Sequence, residues 1–175
     1  MPYQFKREPL MPEEANRLAS TYQDAREKLV ICPLLDTGLR VAELANLKKD
    51  NIDWQGHCLM VYGKGGSYGS KSERRIIPLS PRVQPLIEGH FPPYHSLGIT
   101  PRSIQLLVKR VANRARISRT VSPHVLRHTF AVAAVQKGIS LPALQRLLGH
   151  DQLSTTEIYL NLSPEDVVRE FRKKW

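Results

Sequence analysis

The chain has 175 residues, of which 41% are hydrophobic and 24% charged, enough for one domain around a single buried core. Lys and Arg total 26 against 16 Asp and Glu, a net charge of +10, so the expected partner is a polyanion, nucleic acid ahead of a membrane surface. No apolar run reaches bilayer-spanning length and residues 1–7 lack an apolar signal core, which predicts a cytoplasmic protein with no membrane partner.

Residues 1–10 read as an N-terminal arm or linker, and 11–175 as one domain. Met11-Pro12-Glu13-Glu14 opens a helix, with proline in the first turn and acids at the positive end of the dipole. A second helix is predicted over about 24–36, apolar at Leu29, Val30, Ile31, Leu34 and Leu35, with Pro33 a candidate kink. Gly38 interrupts the pattern, and 40–47 reads as a short helix burying Val41, Leu44 and Leu47. Three short strands follow at about 51–54, 57–62 and 74–79, with Gly56 in the first turn and the Gly-rich stretch 63–70 in the second. Beyond Pro81 the pattern is helical, at about 81–89, 101–115, 123–137, 140–148, 154–161 and 164–173, with Gly138 and Gly149 as helix stops. Leu126, Phe130, Val132 and Val135 are expected in the core. Cys32 and Cys58 lack C-x-x-C spacing and read as two buried thiols. The predicted class is mixed, mainly α-helical with a small three-stranded antiparallel sheet.

A few residue types at defined spacings carry chemistry. Tyr159 lies nine positions beyond His150, which ends the run Leu147-Leu148-Gly149-His150. His124-Val125-Leu126-Arg127-His128 precedes that run, and Thr37-Gly38-Leu39-Arg40 lies far upstream. Splitting a phosphodiester without metal needs a nucleophile, cations around the non-bridging oxygens and an acid for the leaving oxygen. Arg40 and Arg127 suit the second task, because a planar guanidinium matches two phosphate oxygens and stays charged at any working pH. Three apart on one helix, His124 and Arg127 project from the same face. Tyrosine, with an ordinary pKa of about 10, becomes a nucleophile only where cations and a nearby base favour its phenolate.

Taken singly, each residue has a plainer reading. Tyr159 alone would more often be a packed aromatic, and Arg127 alone a structural ion pair. His124 and His128 stand at i, i+4, a zinc-compatible spacing with His150 as a third ligand, but the zinc-protease motif needs Glu where Val125 stands. His128 therefore reads as a buried hydrogen-bonding residue behind the site. Arg110, Arg114, Arg116 and Arg119 are either a solvated helix face or phosphate contacts.

In order and spacing these runs resemble the tyrosine recombinase (phage integrase) family, the Xer-type branch in particular, over about residues 10–165. Thr37-Gly38-Leu39-Arg40-Val41-Ala42-Glu43-Leu44 is similar to the family's first arginine box. Ser122-Pro123-His124-Val125-Leu126-Arg127-His128-Thr129-Phe130-Ala131 is similar to its H-x-x-R box. The Leu-Gly-His run followed by Ser154-Thr155-Thr156-Glu157-Ile158-Tyr159 is similar to its nucleophile box. Gly63-Lys64-Gly65 stands where the family keeps a catalytic lysine.

The resemblance implies the tyrosine recombinase catalytic-domain fold and site-specific DNA recombination without metal, ATP or cofactor. Tyr159 would attack the scissile phosphate, leaving a 3′-phosphotyrosyl link and a free 5′-hydroxyl. Arg40 and Arg127 would hold the non-bridging oxygens, Lys64 would protonate the departing oxygen, His124 would assist at the tyrosine and His150 would hydrogen-bond a phosphate oxygen. Glu43, one helical turn past Arg40, would orient and support the site. The stretch from Lys64 to Pro78 is longer than the family's usual hairpin, so Lys71 is the alternative acid. Lys71, Arg74, Arg110 and Arg114 are expected DNA contacts. The implied partners are double-stranded DNA and further copies of the chain, monomeric in solution and tetrameric on paired sites, associated with a chromosome or mobile element. The family's N-terminal clamp domain has no counterpart expected within residues 1–10. A type IB topoisomerase, a non-catalytic DNA-binding regulator and, more distantly, a zinc hydrolase are the rival functions.

Overall fold

The computed structural model describes residues 8–62, 74–149 and Arg172, and its architecture follows from one helix whose middle stretch has no polar face. This helix, α2 (Ala25–Thr37), starts where the Asp24 carboxylate accepts the Glu27 N–H at 2.7 Å. Leu29, Val30, Ile31, Cys32, Leu34 and Leu35 are all buried, so this stretch of the helix has to be enclosed on every side. Around it pack α1 (Pro12–Ser20), α3 (Val41–Ala45), α4 (Gln84–His90), α5 (Pro101–Arg114) and α6 (Pro123–Gln136). α2 runs through Pro33 without a break, and the Thr37 hydroxyl donates back to the Pro33 carbonyl at 2.6 Å.

The small sheet is antiparallel, in the order β1 (Ile52–Asp53), β2 (Cys58–Tyr62), β3 (Arg74–Pro78). Leu59 pairs with Ile77 and Val61 with Arg75, and these four face inward. β1 is shorter than the expected strand because Asn51 belongs to a 3-10 turn, Lys49–Asn51. That turn is held by the Lys48 N–H on the Asn51 side-chain oxygen and by the Lys49 N–H on the His95 carbonyl, each at 2.9 Å. α4 likewise begins later than expected. Residues 81–83 form a turn in which Ser80 accepts the Val83 N–H and donates to Asp36 at 2.6 Å, while Arg82 also grips Asp36.

The longer C-terminal helices are set by their caps: Thr100 for α5, Ser122 for α6 and Ser140 for α7 (Leu141–Leu148), each followed by proline in the first turn. α6 meets α7 through a second, smaller cluster of Ala131, Ala134, Leu144 and Leu148. Of the expected core residues on α6, Leu126 is fully buried; Phe130, Val132 and Val135 are only partly so, because they flank this small-residue contact. Cys32 is a buried free thiol, whereas Cys58, also free, is half-buried on the outward face of β2. Leu10 is already buried, its N–H donating to the Thr129 hydroxyl at 2.9 Å, so packing begins ahead of α1. The helices expected at 154–161 and 164–173 lie outside the described residues apart from Arg172, which is helical and exposed. Among the described residues no helix is long and apolar enough to cross a membrane.

Candidate active site

Helix ends build this site. α6 opens on the Ser122 hydroxyl, which accepts the Val125 N–H at 3.3 Å. Its first turns place His124 at the surface and Arg127 inside. The buried guanidinium of Arg127 donates to two backbone carbonyls, Gly38 and Leu148, each at 2.5 Å. Gly38 is the C-cap of α2 and Leu148 the last residue of α7. Carbonyls at helix C-termini have no partner within the helix and lie at the negative end of its dipole, which suits a cation. Arg127 thus fastens two helix ends together with one charge. Gly38 is required there: its φ is +64°, and a Cβ would come within 2.4 Å of the Phe130 ring and 2.9 Å of Leu148.

Arg40 stands two residues beyond Gly38, its side chain 45% exposed. One terminal nitrogen donates to Glu43 Oε1 at 2.9 Å and the other to the Gly149 carbonyl at 3.1 Å. Glu43, in the first turn of α3, reaches back so that Oε2 accepts the Arg40 backbone N–H at 2.7 Å. The same carboxylate takes both terminal nitrogens of Arg75, at 2.8 and 2.9 Å. Burial pushes the Glu43 carboxyl up, but the Arg75 guanidinium and the Arg40 backbone N–H outweigh it and hold the group below the usual carboxylate range. Glu43 is therefore an anion between two guanidiniums, leaving the Arg40, Arg75 and Arg127 cluster net positive. An anion with two oxygens, such as a phosphodiester, suits that field.

His124 and His128 meet Nε2 to Nε2 at 2.9 Å, with the rings edge to face. A hydrogen bond between two such nitrogens needs one bare nitrogen, so at least one of the two rings is neutral. Among the described residues no group of three or more His, Cys, Asp and Glu side chains is placed to hold a metal ion.

The profile described as Phage integrase family matches residues 8–166. The chain belongs to the phage integrase family. It is 31% identical to tyrosine recombinase XerA of Pyrococcus horikoshii over 94% of this chain and 60% of that protein. A crystal structure of XerA recombinase superposes with a TM-score of 0.82 at 25% identity, covering 99% of this chain and 65% of that one. The Tn1549 transposon integrase, solved in complex with a circular intermediate DNA, superposes with a TM-score of 0.76 over 99% of this chain and 67% of that one. At 20% identity that second likeness speaks to the fold alone. The chain spans about 60% of the length of the XerA protein it matches.

Arg40, Glu43 and Arg127 of this integrase-family chain meet at the α2 and α7 ends, and His124 and His128 pair in the first turns of α6. Lys64, Lys71, His150 and Tyr159 lie outside the described residues. Arg74 is exposed on β3, across from Tyr62. Arg110 and Arg114 have an intramolecular partner that was not foreseen. Both grip the buried Glu27, Arg114 at 2.7 and 3.2 Å and Arg110 at 3.0 and 3.2 Å, and the Gln23 N–H adds a bond at 2.8 Å. Arg114 above all pulls the Glu27 carboxyl down to about 2 against the opposing effect of burial, with Gln23 and Arg110 adding to the pull. Arg119 is similarly engaged, with Glu8 and Glu14. Arg75 is the site residue that sequence reading missed. The signal was present in the strand's alternation, which puts Arg75 on the same face as Ile77.

Proposed function

We propose that this chain cuts and rejoins double-stranded DNA at specific sites through a covalent 3′-phosphotyrosyl intermediate, with Tyr159 as nucleophile. The observation that carries this reading is the Arg127 bridge between the Gly38 and Leu148 carbonyls, with Arg40 tied to Gly149 beside it. Three runs far apart in sequence meet there, at the residue immediately before His150. Membership of the phage integrase family supports the same conclusion.

In this reading Arg40 and Arg127 hold the two non-bridging oxygens of the scissile phosphate. Their charge matches the charge that accumulates as the phosphorus becomes five-coordinate, the task a metal ion performs elsewhere. The Tyr159 hydroxyl attacks phosphorus, and His124 assists the removal of its proton. The bond to the 5′-oxygen breaks, and that oxygen takes a proton from Lys64, with Lys71 the alternative donor. One phosphodiester is lost and one phosphotyrosine formed, so no ATP is needed, and a second 5′-hydroxyl reverses the step. DNA is held largely by phosphate contacts from Lys71, Arg74 and the exposed side of Arg110 and Arg114. The chain is monomeric in solution and assembles as a tetramer on paired sites, in the cytoplasm.

A nicked duplex whose cut releases a short 5′ fragment tests the proposal. The fragment diffuses away, so the protein stays attached to the 3′ end. The expected result is a denaturation-resistant protein–DNA species that forms equally well in excess EDTA. Nicked product without attached protein would instead indicate a nuclease.

A further inference from the structure

The buried polar and charged side chains among the described residues are Glu27, Thr37, Arg75, Arg127 and Thr129. Glu27 joins α2 to α5 through Arg110 and Arg114, Thr37 and Thr129 bond within their own helices, and Arg127 belongs to the site. Arg75 has no role yet. Taking a guanidinium out of water is costly, and an aliphatic residue would serve the inward face of β3 equally well.

What Arg75 touches suggests its purpose. A carboxylate offers about four lone-pair positions. On Glu43 two are taken by the Arg75 fork, one by the Arg40 backbone N–H and one by a single Arg40 terminal nitrogen. The carboxylate is therefore saturated, and Arg40 can give it only one side-chain bond. The Arg75 guanidinium also lies flush against Gly149, where a Cβ would come within 2.5 Å of its Cδ and Nη1. The Gly149 carbonyl is the other anchor of the Arg40 guanidinium. Arg75 thus contacts both groups that fix Arg40. It is also the second residue of the strand that leads out of the segment carrying Lys64 and Lys71.

We propose that Arg75 is a positioning residue for Arg40: by occupying Glu43 and backing the Gly149 turn, it keeps the Arg40 guanidinium from closing bidentately onto Glu43 and aimed at the scissile phosphate. This rests on the DNA-cleavage reading above. Without Arg75, two lone-pair positions of Glu43 open, and a half-exposed Arg40 rotates onto them. DNA binding should survive, because it depends on many phosphate contacts. The chemical step should not.

The test is single-turnover cleavage at saturating DNA, comparing wild type with Arg75→Met, Glu43→Gln and the double variant. Each acts on a phosphodiester and on a neutral methylphosphonate, which asks far less of Arg40. Arg75→Met should slow phosphodiester cleavage by about tenfold or more while slowing the methylphosphonate by about threefold or less, each relative to wild type. The double variant should be no slower than Arg75→Met, since the effect passes through Glu43. Equal losses on both substrates, or losses that multiply in the double variant, would mean that Arg75 merely holds the fold, and the proposal fails. If Arg75→Met does not give a cooperative melt, Arg75→Lys carries the test. It keeps the charge without the fork, and should show the same substrate-dependent loss; wild-type rates on both substrates would overturn the proposal. A wild-type protein that forms no adduct with either substrate would overturn the cleavage reading, and this proposal with it. That outcome is distinct from wild-type cleavage that Arg75 does not influence.

Discussion

Two glycines of nearly equal positive φ separate the packing of the site from backbone strain alone. Gly149 has φ +64° and Gly98 has φ +60°. Alanine at either position meets the left-handed penalty, about 1–2 kcal/mol. At Gly98 nothing lies within 4 Å of an added Cβ, so that penalty should be the whole effect. At Gly149 the same atom would sit 2.5 Å from Arg75 Cδ and Nη1. A free arginine would swing aside, but this one is buried and forked onto Glu43, so moving it breaks at least one charge-assisted bond, about 1.5–3 kcal/mol. Gly149→Ala should therefore lose about 2.5–5 kcal/mol in total, against about 1–2 kcal/mol for Gly98→Ala. For a chain of this length the gap corresponds to about 3–12 °C in Tm. Urea and thermal unfolding of both variants measure it directly. Equal destabilisation within about 0.5 kcal/mol would refute the claim that Gly149 is packed on a fixed Arg75.

Other consequences can be checked on the same protein. Because Glu27 is held down to about 2 in the fold, the unfolded chain binds more protons between that value and the ordinary carboxylate range. Its stabilisation is complete above that range and drains away as pH falls toward about 2; Glu27→Gln should flatten the acid limb of the stability–pH curve, and an unchanged limb would contradict the assignment. At neutral pH the same substitution should cost about 2 kcal/mol in urea unfolding, because Arg110 and Arg114 are left with a neutral partner. DNA affinity should fall steeply and linearly on a log–log plot against salt, given the net charge of +10; a flat plot would mean that phosphate contacts are not the main source of binding. A 5′-bridging phosphorothiolate leaves without a proton, so it should rescue cleavage by Lys64→Ala but not by Arg127→Ala. Rescue of Lys71→Ala instead would move the acid to the later lysine.

Helix placement was legible because the caps are local signals. Asp24, Thr100, Ser122 and Ser140 each accept an amide three residues on, and proline follows three of the four in the first turn. Gly38 and Gly149 were readable as helix stops for the same reason, and both adopt positive φ. Arg40 and Arg127 could be singled out by motif, but their anchors could not: Gly38, Leu148 and Gly149 contribute backbone carbonyls, which leave no trace in residue identity. Arg75 was passed over because an arginine in a short strand is ordinarily placed outward, next to an equally basic Arg74. The alternation of β3 puts it on the inward face with Ile77, but its partner Glu43 lies 32 positions away on α3 and leaves no local sign. Arg110 and Arg114 looked like free cations because their partner, Glu27, lies more than 80 positions earlier in the chain. A charge count along one helix cannot see a carboxylate delivered by another.

Peptide mapping of the covalent DNA adduct by mass spectrometry tests most directly whether this arginine cradle serves a tyrosine nucleophile. After nuclease trimming and proteolysis, one modified peptide is expected, with a 3′-nucleotide attached through phosphate to Tyr159, and no such peptide from Tyr159→Phe protein that still binds DNA. An adduct on any other residue, or one undiminished in Tyr159→Phe, would contradict it.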